Sequence, residues 1–599
     1  MPLEDSSAEA STWLAGPGEV GLTSTDRRPS GAVDLPSGDD LPPGAVELPP
    51  GAVDLPSGED LPSGEDLPPG AVDLPSGEDL PPGAQDLPRL REDQTSREPA
   101  RKTGLLDPVS VLIAALVTAA YCVISVFRYL RLDPTSWDLG IFTEYVKQYA
   151  HLRAPVVDIK SAGFNLLGDH FHPIAALVAP FFRLFPSPVT LLVVQAVLAG
   201  ASVLPVSQLG RELLGPAAGR CIAAAYGLSW GLQQLANYDF HEIAFAIPLL
   251  AFSLSAMVRG RFRAAVLWAL PLVFVKEDQG FTVVAIGLIM AVAYRKYGAA
   301  LLLTGWGLFW SMLAIMVIIP HFNAQHCYPY WGEAGGATPG STSCNLGTGG
   351  LWETFTAGAG TKLPTLALIL LPAAFIALRS PVVLAAAPSL ALRAIDNNPS
   401  YWGTEWHYNA TVMPILFIGA IDAIARIRAR ERPATGVAAR PASMSPGGAD
   451  GVRPPGKFLV ATERYGAAAM VAICAALAFQ FPLSALWKPA TYTLGPHITA
   501  ANRAMAMVPD GATVSTDLNL LAPLAARTDT FWLGSAAADP PTQYVIFDTQ
   551  STDCTAWETV CAESAAPAVL HQVESLEHGA RYQQIFASNG VFVLRRAGG

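Results

Sequence analysis

The chain has 599 residues, just over half of them apolar, 15% charged, with a net charge of −12. Positions 34–86 hold thirteen acids and no base, so the acidity belongs to one stretch and the remainder is close to neutral. These totals exclude an acidic folded surface as the source of the charge; they argue neither for nor against a nucleic-acid partner, and none is expected.

That stretch repeats in units of six or seven from Leu35 to Asp86, as in LPSGDD, LPPGAVE and LPSGED. Proline at the second place of every unit denies helix and ladder hydrogen bonds, and the acids repel one another. Residues 1–104 therefore read as a disordered tail, a solvated spacer rather than a docking segment for a basic partner. The opening MPLEDSSAEA lacks the basic-then-apolar order of a cleavable signal, which leaves targeting to the first apolar run.

The first such run, PVSVLIAALVTAAYCVISVF from Pro108 to Phe127, can cross a hydrocarbon core of about 30 Å as a helix. It follows Arg89, Arg91, Arg97, Arg101 and Lys102, so the amino terminus is expected in the cytoplasm. Ten further runs follow at about 188–207, 218–236, 243–258, 264–275, 280–293, 299–319, 363–378, 381–395, 411–425 and 465–485. Alternating sides puts RELLGPAAGR, RGRFR, YRKYG, the Arg379 turn and the Arg-rich stretch after 426 together in the cytoplasm. The run 264–275 is too short to cross alone, and a hairpin turning at Lys276-Glu277-Asp278-Gln279-Gly280 keeps its basic flanks on one side.

The fold expected is a mainly α, polytopic membrane protein with about eleven transmembrane helices, a small α/β extracytoplasmic C-terminal domain and the tail. The divisions are 1–104 tail, 105–427 transmembrane core, 428–464 basic cytoplasmic linker, 465–487 last transmembrane helix and 488–599 outer domain. In the last, ATVSTDL and TQYVIFD read as buried strands, and Asn589-Gly590 within YQQIFASNGVFVLRR reads as a hairpin. Cys122, Cys221 and Cys474 fall in apolar runs, whereas Cys327 with Cys344 and Cys554 with Cys561 fall in segments assigned outside, where disulfides persist.

Conspicuous polar residues collect in the connections assigned outside. The first carries Asp138 in SWDLGIFTEYVKQYA and Asp169, His170 and His172 in GDHFHP. Later ones carry Asp239, His241 and Glu242, then Lys276, Glu277 and Asp278, then Asp396, Glu405, His407 and Tyr408. Ionisable groups near hydrocarbon are costly and usually face a cavity or partner. Each cluster also has a plainer explanation. Asp239 and Glu242 suit a capping box for the helix near Ile243, and Asp138 suits a helix cap. His170 and His172 precede Pro173 in an extended backbone and are the weak candidates for a metal pair. Lys276, Glu277 and Asp278 suit a self-neutralised turn, and His407 and Tyr408 suit interface anchors.

The ordered set WDLGIF, GDHFHPIAALVAPFFRLFPSP, YDFHEIAFAIPLLAFSL, VKEDQG and HYNATVMP, over about residues 105–425, resembles a prokaryotic multi-pass membrane family catalogued as a domain of unknown function. That family looks similar to the GT-C integral-membrane glycosyltransferases, which use polyprenyl-phosphate sugars at the extracytoplasmic face. The resemblance implies an inverting transfer to an extracytoplasmic glycan, lipid or protein acceptor, with Asp138 as base. A lone Asp stands at WDLG where several GT-C members have paired acids. The donor phosphate and acceptor would be bound among Asp169, His170, His172, Asp239, His241, Glu242, Lys276, Glu277, Asp278, His407 and Tyr408. No spacing in the chain calls for a divalent ion or other cofactor. Two other classes are compatible with the same clusters: a transporter or flippase of a lipid-linked or small polar solute, and a non-catalytic assembly or sensing protein.

Overall fold

The computed structural model describes residues 104–133, 137–331, 344, 351–396, 398–431, 457–533, 539–551 and 566–598, all in one compact unit. The acidic repeats, most of the basic linker and the Cys554–Cys561 pair lie outside them. Among the described residues four helices are long and apolar enough to cross a membrane: Pro108–Leu130, Pro188–Leu214, Tyr297–Phe322 and His407–Ala429. Seven shorter apolar helices accompany them. The expected run 218–236 is broken at Leu228 and Ser229 into helices Pro216–Gly227 and Trp230–Asn237. The run 264–275 is helical from Phe262 to Ala269, tightens into a 3-10 turn over Leu270–Phe274, and packs back on helix Gln279–Tyr294.

Helix Pro108–Leu130 starts where its residue types say it should. The Asp107 carboxylate accepts from the Ser110 amide at 3.1 Å, and Pro108 opens the first turn, where its missing N–H costs nothing. Leu112 and Leu116 remain exposed on it, as suits a lipid-facing surface. It crosses Pro188–Leu214 closely at Gly200, where a Cβ would lie 2.0 Å from the Thr118 hydroxyl. Helix His407–Ala429 is buried over 89% of its most apolar window and forms the centre of the bundle.

The C-terminal part holds a five-stranded mixed sheet, ordered β2 (Asp529–Trp532), β1 (Thr513–Thr516), β3 (Tyr544–Asp548), β5 (Val591–Arg596), β4 (Tyr582–Ser588). β1 runs parallel to β2 and β3, while β5 runs antiparallel to β3 and β4. Asn589 and Gly590 turn the last hairpin with φ of 48° and 83°, the left-handed geometry that Asn-Gly favours. Between β1 and β2, helix Leu518–Ala525 is apolar at every position but Asn519, and burial on two fronts explains why. Leu520 and Leu524 join the core under the sheet, whereas Leu518, Leu521, Ala522 and Ala525 join the core of the helical bundle. The sheet-bearing part is therefore wedged onto the bundle rather than tethered to it.

The wedge rests on helix Trp137–Ala150. A Cβ on Gly140 would stand 3.2 Å from Leu521, Trp137 meets Trp532 edge to face at 5.1 Å, and the Lys147 ammonium donates to the Thr528 carbonyl at 2.7 Å.

Candidate functional site

The polar connections converge at the wedged end of the bundle. Asp138 lies in the first turn of helix Trp137–Ala150 and accepts a hydrogen bond from the Tyr238 hydroxyl at 2.6 Å. The next residue, Leu139, donates its amide to Asp239 at 3.2 Å. Two residues a hundred positions away thus pin the helix start. Gln195 holds that second loop in turn: its side-chain amide donates to the Leu235 and Asp239 carbonyls, at 2.9 and 3.0 Å, and accepts from the His241 amide at 3.0 Å. Burial pushes the Asp138 carboxyl above the usual range despite the Tyr238 bond.

The capping-box reading of Asp239 and Glu242 does not hold. His241 is the cap, its Nδ1 facing the Ile243 amide at 3.5 Å, and Asp239 is occupied by Leu139. Glu242 is fully buried with no aligned hydrogen bond to either oxygen, although His241 Nδ1 lies 2.8 Å from one and the Lys276 ammonium 3.9 Å from the other. Burial disfavours the Lys276 charge, but Glu242, Glu277 and Asp278 together outweigh it and keep the ammonium protonated. Burial and the Lys276 charge hold His241 well below its ordinary pKa, so its ring is neutral. His407 is no interface anchor: it is buried and stacked on His241 at 3.7 Å, with Tyr408 beside it at 4.3 Å and Tyr238 at 5.0 Å.

Asp169, His170 and Glu277 form the adjoining part. His170 Nδ1 lies 2.7 Å from the Glu277 carboxylate, whose other oxygen accepts from the Phe171 amide at 3.0 Å. Burial and Lys276 disfavour the imidazolium, yet Glu277 and Asp169 raise the His170 pKa on balance. Asp169 accepts from Lys160 at 2.9 Å and from the Tyr330 hydroxyl at 2.7 Å, and Tyr330 stacks on His170 at 4.4 Å. Tyr328 donates to Glu277 at 3.3 Å. The Cys327–Cys344 disulfide is present, and Cys327 stands immediately before Tyr328 and three residues before Tyr330 in the chain. Lys276, Glu277 and Asp278 are consequently more than a self-neutralised turn, since Glu277, besides supporting the Lys276 charge, pairs with His170.

His172 takes different surroundings from His170. It packs against Tyr145 and Phe142, its Nδ1 is buried without a hydrogen bond, and the two rings are 6.4 Å apart. Among the described residues no group of three or more His, Cys, Asp or Glu side chains is placed to hold a metal ion. Asp278 sits at the edge of the cluster, raised to about 6 by burial against the Lys276 charge. Asp396 belongs to a separate corner, where it binds the Asn398 amide, and Glu405 is exposed.

Sequence reasoning did not single out Tyr238, Gln195, Lys160, Tyr328 or Tyr330. Tyr238 stands next to Asp239 in the same short motif, and the two tyrosines flank Pro329 beside Cys327, so proximity to chosen residues was the available signal.

Apolar helices of crossing length, with buried charges gathered at one end beneath a mixed sheet, define a multi-pass membrane protein. The chain belongs to the family described as "Predicted membrane protein (DUF2079)", whose model matches residues 128–593. No curated protein matches it. Among solved structures it is similar to ArnT from Cupriavidus metallidurans bound to undecaprenyl phosphate, at 11% identity and a TM-score of 0.44, over 82% of this chain and 98% of that one.

Proposed function

We propose that the protein is an integral-membrane glycosyltransferase that moves a sugar from a polyprenyl-phosphate donor to a hydroxyl-bearing acceptor at the extracytoplasmic face. One observation carries the reading: the Asp138 carboxylate, a protonated lysine and a neutral imidazole share one cluster at the end of a bundle of lipid-facing helices. The arginine-rich connections at the other end favour the cytoplasm for that side, which leaves the cluster outside. Such a position lets an acyl-like chain lie along the helices while its phosphate reaches the cluster.

The chemistry follows from the partners. Asp138, its carboxyl raised by burial, takes the proton of the acceptor hydroxyl. The acceptor oxygen attacks the anomeric carbon, the bond from that carbon to the phosphate oxygen breaks, and the phosphate leaves with the electron pair. Configuration inverts in this single displacement. Lys276 balances the charge gathering on the phosphate, and Tyr238 holds the Asp138 carboxylate in one orientation. His241 and His407, stacked and neutral on the His241 side, offer hydrogen bonds to the phosphate or acceptor without adding charge.

The test is to incubate purified protein in lipid nanodiscs with labelled polyprenyl-phosphate sugars, with and without chelator, and to measure sugar transfer. Transfer by the natural chain that falls at least about a hundredfold in Asp138→Asn supports the reading. Full transfer by Asp138→Asn would sink the base assignment, and solute movement without transfer would favour a transporter.

A further inference from the structure

We infer that the face formed by Arg261, Arg263, Arg295 and Lys296 at the arginine-rich end of the bundle binds an anionic phospholipid, its headgroup phosphate held among these cations and its acyl chains lying on the apolar wall below them. The inference concerns the lipid around the bundle and needs no sugar transfer, so it goes beyond the function proposed above.

The four cations stand on two turns that meet. Arg261 and Arg263 flank Phe262 at the start of helix Phe262–Ala269, while Arg295 and Lys296 link helices Gln279–Tyr294 and Tyr297–Leu313. The Lys296 ammonium lies 5.2 Å from the centre of the Phe262 ring, which meets Tyr294 edge to face at 5.5 Å. All four residues are exposed, and among the described residues none of them has a carboxylate partner. The acids of this end are taken by other guanidinia: Asp107 by Arg211 and Arg220, Glu212 by Arg259, and Asp422 by Arg426. The bias of cations towards one side of a membrane explains why four charges lie at this end. It does not explain why those acids pair elsewhere and leave one face with four cations and no counter-ion.

The surface below the cations gives the second, independent sign, because it is apolar and exposed. Leu267 stands one turn after Arg263 on the same helix, about 6 Å along its axis, and Val292 stands one turn before Arg295. Both are exposed, as are Leu288 and Leu301 one turn further from the cations on their helices. Tyr297, next to Lys296, is exposed too, an amphipathic ring of the kind that sits at headgroup level. A lipid laid along these helices therefore brings its phosphate to the cations within about one turn of its first apolar contacts. Guanidinium forks match phosphate oxygens bidentately, and the ammonium adds a point charge. A zwitterionic headgroup carries its own ammonium into the same four cations and is repelled, so a headgroup of net negative charge is selected.

Native mass spectrometry of the full chain, delipidated in a neutral detergent and titrated with phosphatidylglycerol or phosphatidylcholine, reads the preference directly. The first phosphatidylglycerol is expected to bind about tenfold or more tightly than the first phosphatidylcholine, and the ratio to fall to about twofold or less when Arg261, Arg263, Arg295 and Lys296 are all changed to Gln. A control that removes four exposed cations elsewhere, Arg153→Gln, Lys488→Gln, Arg503→Gln and Arg581→Gln, should keep the ratio of the natural chain. Thermal melts identify any variant that fails to fold. The half variants, Arg261→Gln with Arg263→Gln and Arg295→Gln with Lys296→Gln, then decide, each expected to lower the ratio about threefold. Equal binding of the two lipids by the natural chain overturns the inference, as does an equal fall in the control variant. Displacement of phosphatidylglycerol by an equal concentration of inorganic phosphate would make the face a site for a soluble anion and overturn it as well. No outcome depends on sugar transfer, so the lipid face and the proposed enzyme stand or fall separately.

Discussion

Carboxylates sit at both ends of the helical bundle, and they are satisfied in different ways. At the arginine-rich end each faces a guanidinium: Asp107 meets Arg220 at 2.8 Å, Glu212 meets Arg259 at 2.8 Å, and Asp422 meets Arg426 at 2.7 Å with the Ser380 hydroxyl at 2.6 Å. At the wedged end Glu242, one oxygen of Asp278 and one oxygen of Glu144 are buried with no hydrogen bond, beside histidine nitrogens in the same condition. Asp107–Arg220, Glu212–Arg259 and the Ser380 bond to Asp422 tie helices to one another through charged partners, although Arg259 and Arg211 nitrogens there also lack an aligned hydrogen bond. Acceptors short of donors, gathered in one place, mark where an arriving ligand would complete the set.

The comparison breaks most sharply at Asp138. Asp138→Asn should lower transfer by roughly 10²–10⁴-fold with the melting temperature nearly unchanged, measured on the same nanodisc preparation. At the other end Glu212→Gln should do the opposite. Leaving Arg259 buried without its partner should cost about 3 kcal/mol, read as a fall in thermal midpoint, with transfer per folded molecule retained. Loss of transfer there, with the fold intact, would erase the distinction between the two ends.

Cys327→Ser tests how the wedged end is held, because the disulfide anchors the segment that brings Tyr328 to Glu277 and Tyr330 to Asp169. A loss of about 2 kcal/mol is expected, reproduced by reductant on the natural chain and absent when reductant is added to the variant.

Two pH dependences sharpen the picture. Glu277, whose pKa is depressed in the fold, contributes stability above its unfolded value near 4.5, and this is lost as pH falls through the folded value. His170, whose pKa is raised, contributes below 6.5, and this is lost as pH rises through the folded value. The stability gap between the natural chain and Glu277→Gln should thus be widest between those two limits. The smallest effect concerns Asp138 itself: its acid limb in kcat/KM should lie above the ordinary carboxylate range near 4, and Tyr238→Phe should move it further up, because the lost hydroxyl favoured the charged form.

Much of the architecture was legible in the residues. Apolar runs marked the helices, Asn589-Gly590 marked the hairpin, and the placement of Cys327 and Cys344 in a segment assigned outside marked a disulfide. These features depend on neighbours close in sequence. The roles of individual site residues were less legible. Asp239 and Glu242 carried the local pattern of a capping box, but Leu139, a hundred positions away, offered Asp239 a better donor, and Lys276 drew Glu242 into the cluster. His407 looked like a boundary residue until packing stacked it on His241.

By itself the sequence determined that this is a membrane protein of many helices with its ionisable residues gathered in a few connections, because hydropathy and turn chemistry act locally. Only the tertiary structure decided that those connections form one cluster, that Tyr238 orients Asp138, and that helix Leu518–Ala525 packs into the core of the bundle. Those outcomes depend on which buried donor meets which buried acceptor. That pairing is set by the packing of elements far apart along the chain.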